Sequence, residues 1–142
     1  IIGVEGCVWT EYMPTPERVE YMASPRMCAI AETGWTQSSK DWDGFTRRLE
    51  KHFSRLDGMG VSYCDAFFNP MIVFHKDTQH NMVVTMTVDA PDAEIRYTLD
   101  GSVPTIDSPK YEIPFSINRS QTVSALAFRD GKPVGDVRTK RW

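Results

Sequence analysis

No apolar stretch in these 142 residues is long enough to span a bilayer, so no membrane span is expected within them. Cysteine is scarce. Cys7, Cys28 and Cys64 are odd in number and widely spaced, and neither a Cys-x-x-Cys nor a Cys/His ligand pattern occurs. That argues for three small buried thiols rather than a disulfide framework. His52, His75 and His80 lack metal-ligand spacing, so neither a metal nor another cofactor is expected. Positive charge is not clustered either: the formal net charge is −3, and the one basic run, Arg138, Lys140 and Arg141, is short. It reads as a solvated strand face, not as a nucleic-acid surface. There is no internal repeat and no low-complexity segment.

What is present is ordinary globular composition, 41% hydrophobic and 25% charged. The chain opens at Ile1 inside an apolar run without Met, and is expected to be part of something longer. Ile1 to Trp9 are nearly all apolar or small with weak alternation, the pattern of a strand buried on both faces of a parallel sheet. Trp9, Thr10, Glu11 and Tyr12 crowd its end, as polar and aromatic groups do at the ligand-facing end of a β/α barrel. Thr15 then caps a predicted helix with Pro16 and Glu17 in its first turn. Val19, Met22, Ala23, Met27, Ile30 and Ala31 recur at helical spacing, Pro25 kinks or divides the stretch, and Gly34 is the expected stop. A second helix is predicted from near Ser39, with Asp41 and Asp43 in its first turn. Trp42, Phe45, Leu49, Phe53 and Leu56 form its apolar stripe, and Gly58 and Gly60 end it.

The pattern changes near Phe67–Pro70, where Asn69-Pro70 disfavours helix. This predicts two parts, residues 1–66 and 67–142. Beyond the change, period two dominates. Val84, Met86 and Val88 share a face, as do Ile95, Tyr97 and Leu99; Tyr111, Ile113, Phe115 and Ile117 alternate most cleanly, followed by Val123, Ala125 and Ala127, then Val134 and Val137. Asp100-Gly101 and Asp130-Gly131 are turn dipeptides between such runs. The expectation is a small antiparallel sandwich whose core supplies only ~3–5 kcal/mol. Tyr97 and Tyr111 are assigned to that core, and Trp35 and Trp42 to packing.

Gly3-Val4-Glu5-Gly6-Cys7-Val8-Trp9-Thr10-Glu11-Tyr12 resembles the last barrel strand of the family-20 glycoside hydrolases, the β-N-acetylhexosaminidases. Ser24-Pro25-Arg26-Met27-Cys28-Ala29-Ile30-Ala31-Glu32-Thr33-Gly34-Trp35 resembles the helix that follows it there, and Asp41-Trp42-Asp43-Gly44-Phe45 through Leu56 the closing helix. Ile95 to Thr105 and Ala127 to Lys132 are similar to chitobiase-like, fibronectin-III-associated modules. The resemblance implies an α+β arrangement: the last strand and helices of a (β/α)8 barrel, then a small antiparallel immunoglobulin-like β-sandwich. It implies hydrolysis of terminal N-acetylhexosamine with retention, the substrate's own acetamido oxygen serving as nucleophile.

In that family an Asp orients the acetamido group and a neighbouring Glu protonates the leaving oxygen, both on a mid-barrel strand. No adjacent Asp-Glu pair occurs in this sequence. The resemblance therefore assigns no catalytic residue here and predicts that these residues alone are inactive. It assigns substrate binding to two positions: Trp9 in the aromatic wall of the terminal-sugar subsite and Glu11 accepting hydrogen bonds from sugar hydroxyls. N-acetylhexosamine-containing glycans are the implied partners, and a periplasmic or extracellular setting the implied location. Oligomeric state is not legible. The rival readings are a carbohydrate-binding sandwich, which an exposed coplanar set of aromatics would favour, and a purely structural one.

Overall fold

The computed structural model describes residues 3–36, 39–118 and 120–142, which fall into two compact units, Ile1–Cys64 and Asp65–Trp142. The first holds three helices, α1 (Pro16–Ala23), α2 (Arg26–Trp35) and α3 (Trp42–Met59). Thr15 caps α1, its hydroxyl accepting the Arg18 N–H at 3.3 Å. Pro25 divides the helical stretch rather than bending it. The Arg26 guanidinium then donates to the Met22 carbonyl at 2.8 Å and the Tyr21 carbonyl at 3.3 Å, satisfying acceptors that the end of α1 leaves open.

Gly34 does not stop α2. It lies inside the helix, where the Val4 side chain occupies the space a Cβ would take. The third helix starts at Trp42 and not near Ser39, because Asp41 is its N-cap, accepting the Gly44 N–H at 2.9 Å. Phe45, Leu49, Phe53 and Leu56 are buried at spacings of three and four, each worth roughly 1.5–3 kcal/mol of transfer free energy. Gly58 is helical; Gly60 is the C-cap, and the Val61 N–H returns to the Leu56 carbonyl at 3.0 Å. The chain is then pinned back on the α1–α2 junction. The Ser62 N–H donates to the Glu20 carboxylate and the Cys64 N–H to the Ser24 carbonyl, both at 2.9 Å.

Neither α1 nor α2 contains a buried residue. Trp35 is 86% exposed and Trp42 57%, against the expectation that both pack. Of the three thiols only Cys64 is buried; Cys28 is half-buried and Cys7 exposed. The predicted opening strand forms no ladder: residues 3–10 carry no regular structure, and positions 1 and 2 lie outside the described residues. A strand needs a neighbour to satisfy its backbone groups, and no described segment supplies one.

The second unit is two three-stranded antiparallel sheets, ordered β1-β2-β4 and β3-β5-β6. The strands are β1 (Met71–Lys76), β2 (Met82–Thr87), β3 (Glu94–Thr98), β4 (Phe115–Ile117), β5 (Thr122–Arg129) and β6 (Lys132–Arg141). Ile72, Val84, Met86, Ile95, Ile117, Val123 and Ala125 form one buried cluster, with Tyr97, Leu99 and Tyr111 packed against it. Tyr97 stacks on Phe115 at 4.7 Å between ring centroids. Lys140 closes one side, its ammonium 5.0 Å from the Phe74 ring centre and 3.3 Å from the Ile72 carbonyl.

Asp130-Gly131 joins β5 to β6, with φ of 51° and 74° as a two-residue hairpin of matching twist requires. Asp100-Gly101 does not join paired strands. Instead β3 pairs with β5, and the Asp100 carboxylate folds the departing chain by accepting the Ser102 N–H at 3.0 Å. Nor is Tyr111–Ile117 one strand. The Tyr111 N–H donates to the Ile95 carbonyl at 2.8 Å, beside β3, whereas Phe115–Ile117 pairs with β2 in the other sheet. Between them Pro114 cannot donate to a ladder and Ile113 is 73% exposed.

The β6 strand is bulged: Leu126 alone on β5 faces Gly135, Asp136 and Val137. A 3-10 turn, Ala66–Phe68, covers the bulge, and Asn69 Oδ1 accepts the Asp136 N–H at 2.6 Å. Gly135 has φ 72°, and a Cβ there would lie 2.8 Å from the Phe68 carbonyl oxygen. Gly135→Ala should therefore destabilise this unit by about 1–3 kcal/mol in chemical denaturation.

Glu94 ties β3 to the segment beside it, accepting from Arg96 Nη2 at 2.6 Å and Lys110 Nζ at 3.0 Å. Arg96 first and Lys110 second hold its carboxyl below the ordinary value of 4.5. The folded pKa lies under the unfolded one, so this contribution is complete above that value and is lost as pH falls through the folded pKa. Melting midpoints of the natural chain should exceed those of Glu94→Gln at neutral pH, and the gap should close as pH falls through the folded pKa of Glu94.

Candidate functional site

Residues 3–9 make contacts with the period of an extended chain. Val4 fills the space over Gly34, and a Cβ on Gly6 would lie 2.5 Å from Ile30 Cδ1. Ile30 and Gly34 are one helical turn apart and share a face of α2. Val4 and Gly6 therefore face α2, which turns Glu5 and Cys7 to the opposite side. The Cys7 thiol lies 3.8 Å from the Glu5 carboxylate on that side. Two glycines make this close approach possible, one on the segment and one on the helix.

Beyond Trp9 the chain turns. The Met13 N–H donates to the Thr10 carbonyl at 3.0 Å, with Glu11 and Tyr12 at the corners. Trp9 is 75% exposed and Tyr12 89%, and Glu11 is exposed as well. Trp9 and Glu11 are thus exposed just before and within this turn, ahead of the Thr15 cap of α1. Tyr12, which the sequence crowds with them at the end of the segment, is exposed at the same turn.

The cleft between α2 and α3, about 360 Å³, is lined by Glu32, Trp35, Arg48, His52 and Arg55. Glu32 there is an ion-pair partner: Arg48 lies 2.6 Å away, and its hydrogen bond is the largest cause holding the Glu32 carboxyl below its usual range. That is the opposite of what a proton donor needs. Among the described residues no three His, Cys, Asp or Glu side chains converge as metal ligands. The sandwich offers no aromatic platform: Tyr97, Tyr111 and Phe115 pack inward, and the large exposed aromatic among its described residues is Trp142, at 37%.

Comparison with known proteins gives the class first. Residues 1–38 match the glycosyl hydrolase family 20 catalytic domain, and residues 84–142 match the Fn3 associated module. The chain thus carries family-20 sequence in its N-terminal part and an Fn3-associated module in its C-terminal part.

Particular relatives carry the name of hexosaminidases. A beta-hexosaminidase of Porphyromonas gingivalis is 30% identical over 148 aligned residues, covering 99% of this chain and 18% of that protein. A beta-N-acetylhexosaminidase of Cellulomonas fimi is 39% identical over 64 residues, 44% of this chain and 13% of the relative. A beta-hexosaminidase of Akkermansia muciniphila is 43% identical over 53 residues, 37% of this chain and 11% of the relative. The chain therefore spans less than a fifth of the length of each. No described helix is long and apolar enough to cross a membrane.

The fit of residues 3–9 on α2 can be tested directly. Gly→Ala inside a helix ordinarily stabilises by roughly 0.5–1 kcal/mol. Gly34→Ala should instead lower the melting temperature of the chain, because its methyl falls on Val4. Combining it with Val4→Ala should restore the ordinary gain; if the single variant is stabilising, the segment does not lie on α2.

Proposed function

We propose that the intact protein is a β-N-acetylhexosaminidase and that residues 1–9 are the last strand of its catalytic barrel, with α2 the helix that follows. The alternation of residues 4 to 9 carries this reading. A barrel strand lays one face on its helices and the other on the barrel interior, with its C-terminal end at the substrate. Val4 and Gly6 meet α2, and Trp9 and Glu11 come at the far end. Residues 67–142 form the module behind the barrel.

In the assembled pocket, the Trp9 indole lies against the C–H face of the terminal pyranose and excludes water from it. The Glu11 carboxylate accepts from the hydroxyls at positions 4 and 6 and sets the ring's orientation. That orientation brings the acetamido oxygen of the sugar to its own anomeric carbon. The oxygen attacks as the aglycone oxygen departs with a proton from a carboxylic acid, and water then opens the cyclic intermediate with retention. The Asp and Glu that steer these steps belong to polypeptide other than these 142 residues. A periplasmic or extracellular setting is part of the same proposal.

In the intact enzyme, Trp9→Ala and Glu11→Gln should each lower kcat/KM for an aryl N-acetylglucosaminide about tenfold to hundredfold. Their melting temperatures should be little changed, since both side chains are exposed. The 142-residue chain by itself should release no aryl alcohol. Hydrolysis by the isolated chain, or wild-type kinetics in both variants, would sink the assignment.

A further inference from the structure

Two three-stranded sheets have four edges, and a bare edge is a template for another chain. Three of the four are closed by the backbone itself. The β4 edge is only three residues long. The β3 edge is covered by a neighbouring segment: the Tyr97 N–H donates to the Pro109 carbonyl at 3.0 Å and the Tyr111 N–H to the Ile95 carbonyl at 2.8 Å. The β6 edge is broken by the bulge at Gly135 and held by Asn69. The β1 edge has none of these devices. Its six residues, Met71 to Lys76, pair with β2 in unbroken register and include neither Pro nor Gly. Met71-Ile72-Val73-Phe74 is wholly apolar, and Met71 and Val73 are exposed.

Which groups this edge presents follows from the register. The Asp77 N–H donates to the Asn81 carbonyl at 3.0 Å, one step beyond the Lys76–Met82 pair. Alternation along an antiparallel ladder then directs the backbone of His75 and Val73 at β2 and turns the N–H and C=O of Ile72, Phe74 and Lys76 away from it. Lys140 fills part of that side. It pairs across the β5–β6 ladder with the fully buried Val123, so its stem starts on the core face of β6. Its ammonium reaches the Ile72 carbonyl at 3.3 Å and lies 5.0 Å from the Phe74 ring centre.

We propose that the β1 edge is a self-pairing surface for a second copy of this chain and that Lys140 holds it shut. A second β1 laid antiparallel would take the Ile72 carbonyl and the Phe74 N–H and C=O, joining two three-stranded sheets into one. To do so it must displace the ammonium from its carbonyl and its ring and leave a cation against an apolar strand. The natural chain therefore stays unpaired at this edge, and loss of that single charge opens it. The inference stands independently of the hexosaminidase reading.

The test follows amide hydrogen exchange by NMR in the isotopically labelled 142-residue chain, at about 10 and about 300 μM. In the natural chain the Phe74 amide should exchange equally fast at both concentrations. In Lys140→Met it should slow at least about tenfold at the higher one. Lys140→Arg keeps the charge and should behave as the natural chain. Adding Val73→Lys to Lys140→Met puts a charge on the pairing strand and should abolish the slowing. Protection of the β5 amides reports that each variant is folded; if Lys140→Met is not, Lys140→Gln takes its place.

Equal Phe74 exchange at both concentrations in the folded neutral variant overturns the proposal. Concentration-dependent slowing in the natural chain does so too, because Lys140 would then be no barrier. Slowing that survives Val73→Lys puts the contact elsewhere on the chain and overturns it as well.

Discussion

Two close approaches, Val4 over Gly34 and Gly6 over Ile30, decide which way the first segment faces. Each pairs a side chain with the absence of one. An extended chain has only two faces, so committing Val4 and Gly6 to α2 commits Glu5 and Cys7 to the other. A slip of one residue would put Glu5 and Cys7 onto the helix. The same glycine that lets the segment approach is a weak helix former, and α2 runs through it nonetheless because Thr36 closes the helix beyond. Packing has overridden local propensity there, and the site depends on it.

The sandwich solves a different problem with the same kind of residue. A ten-residue β6 at the edge of a three-stranded sheet would leave a row of unpaired backbone groups. Gly135 instead bulges the strand outward, and Asn69 accepts the Asp136 N–H that the bulge frees. Phe68 packs its backbone into the space where a side chain at 135 would stand. Edge protection and the buried amide are therefore one arrangement: satisfying Oδ1 on the strand fixes Nδ2 where no protein acceptor reaches it.

Much of this was readable from residue order, and the misreadings share a cause. The stripe of α3 from Phe45 to Leu56, the cap at Thr15 and the Asp130-Gly131 hairpin follow from local rules of spacing and turn chemistry. Tyr111 to Ile117 alternates cleanly and is still not one strand, because period two says which residues face a core and not which sheet they belong to. Met71–Phe74 is uniformly apolar and gives no alternation, although β1 runs through it. Gly34 looks like a stop until its neighbour in space is known. Trp9, Glu11 and Tyr12 stand out already as residues crowded at the end of an apolar run, whereas Asn69 becomes notable only through its burial.

Magnitudes say what the Trp9 turn can do unaided. Burying most of an indole face against a sugar is worth roughly 2–3 kcal/mol, and one charge-assisted hydrogen bond in open solvent adds about 1 more. A millimolar complex already needs about 4 kcal/mol, before the sugar's lost freedom is counted. An exposed indole and carboxylate at one turn can therefore orient a ring that other groups hold, and cannot capture it alone. The chemistry adds a second demand: protonating a glycosidic oxygen takes an acid in a dry pocket, and Glu11 is exposed. In the proposed enzyme, orientation of the ring falls to this side and proton transfer to another.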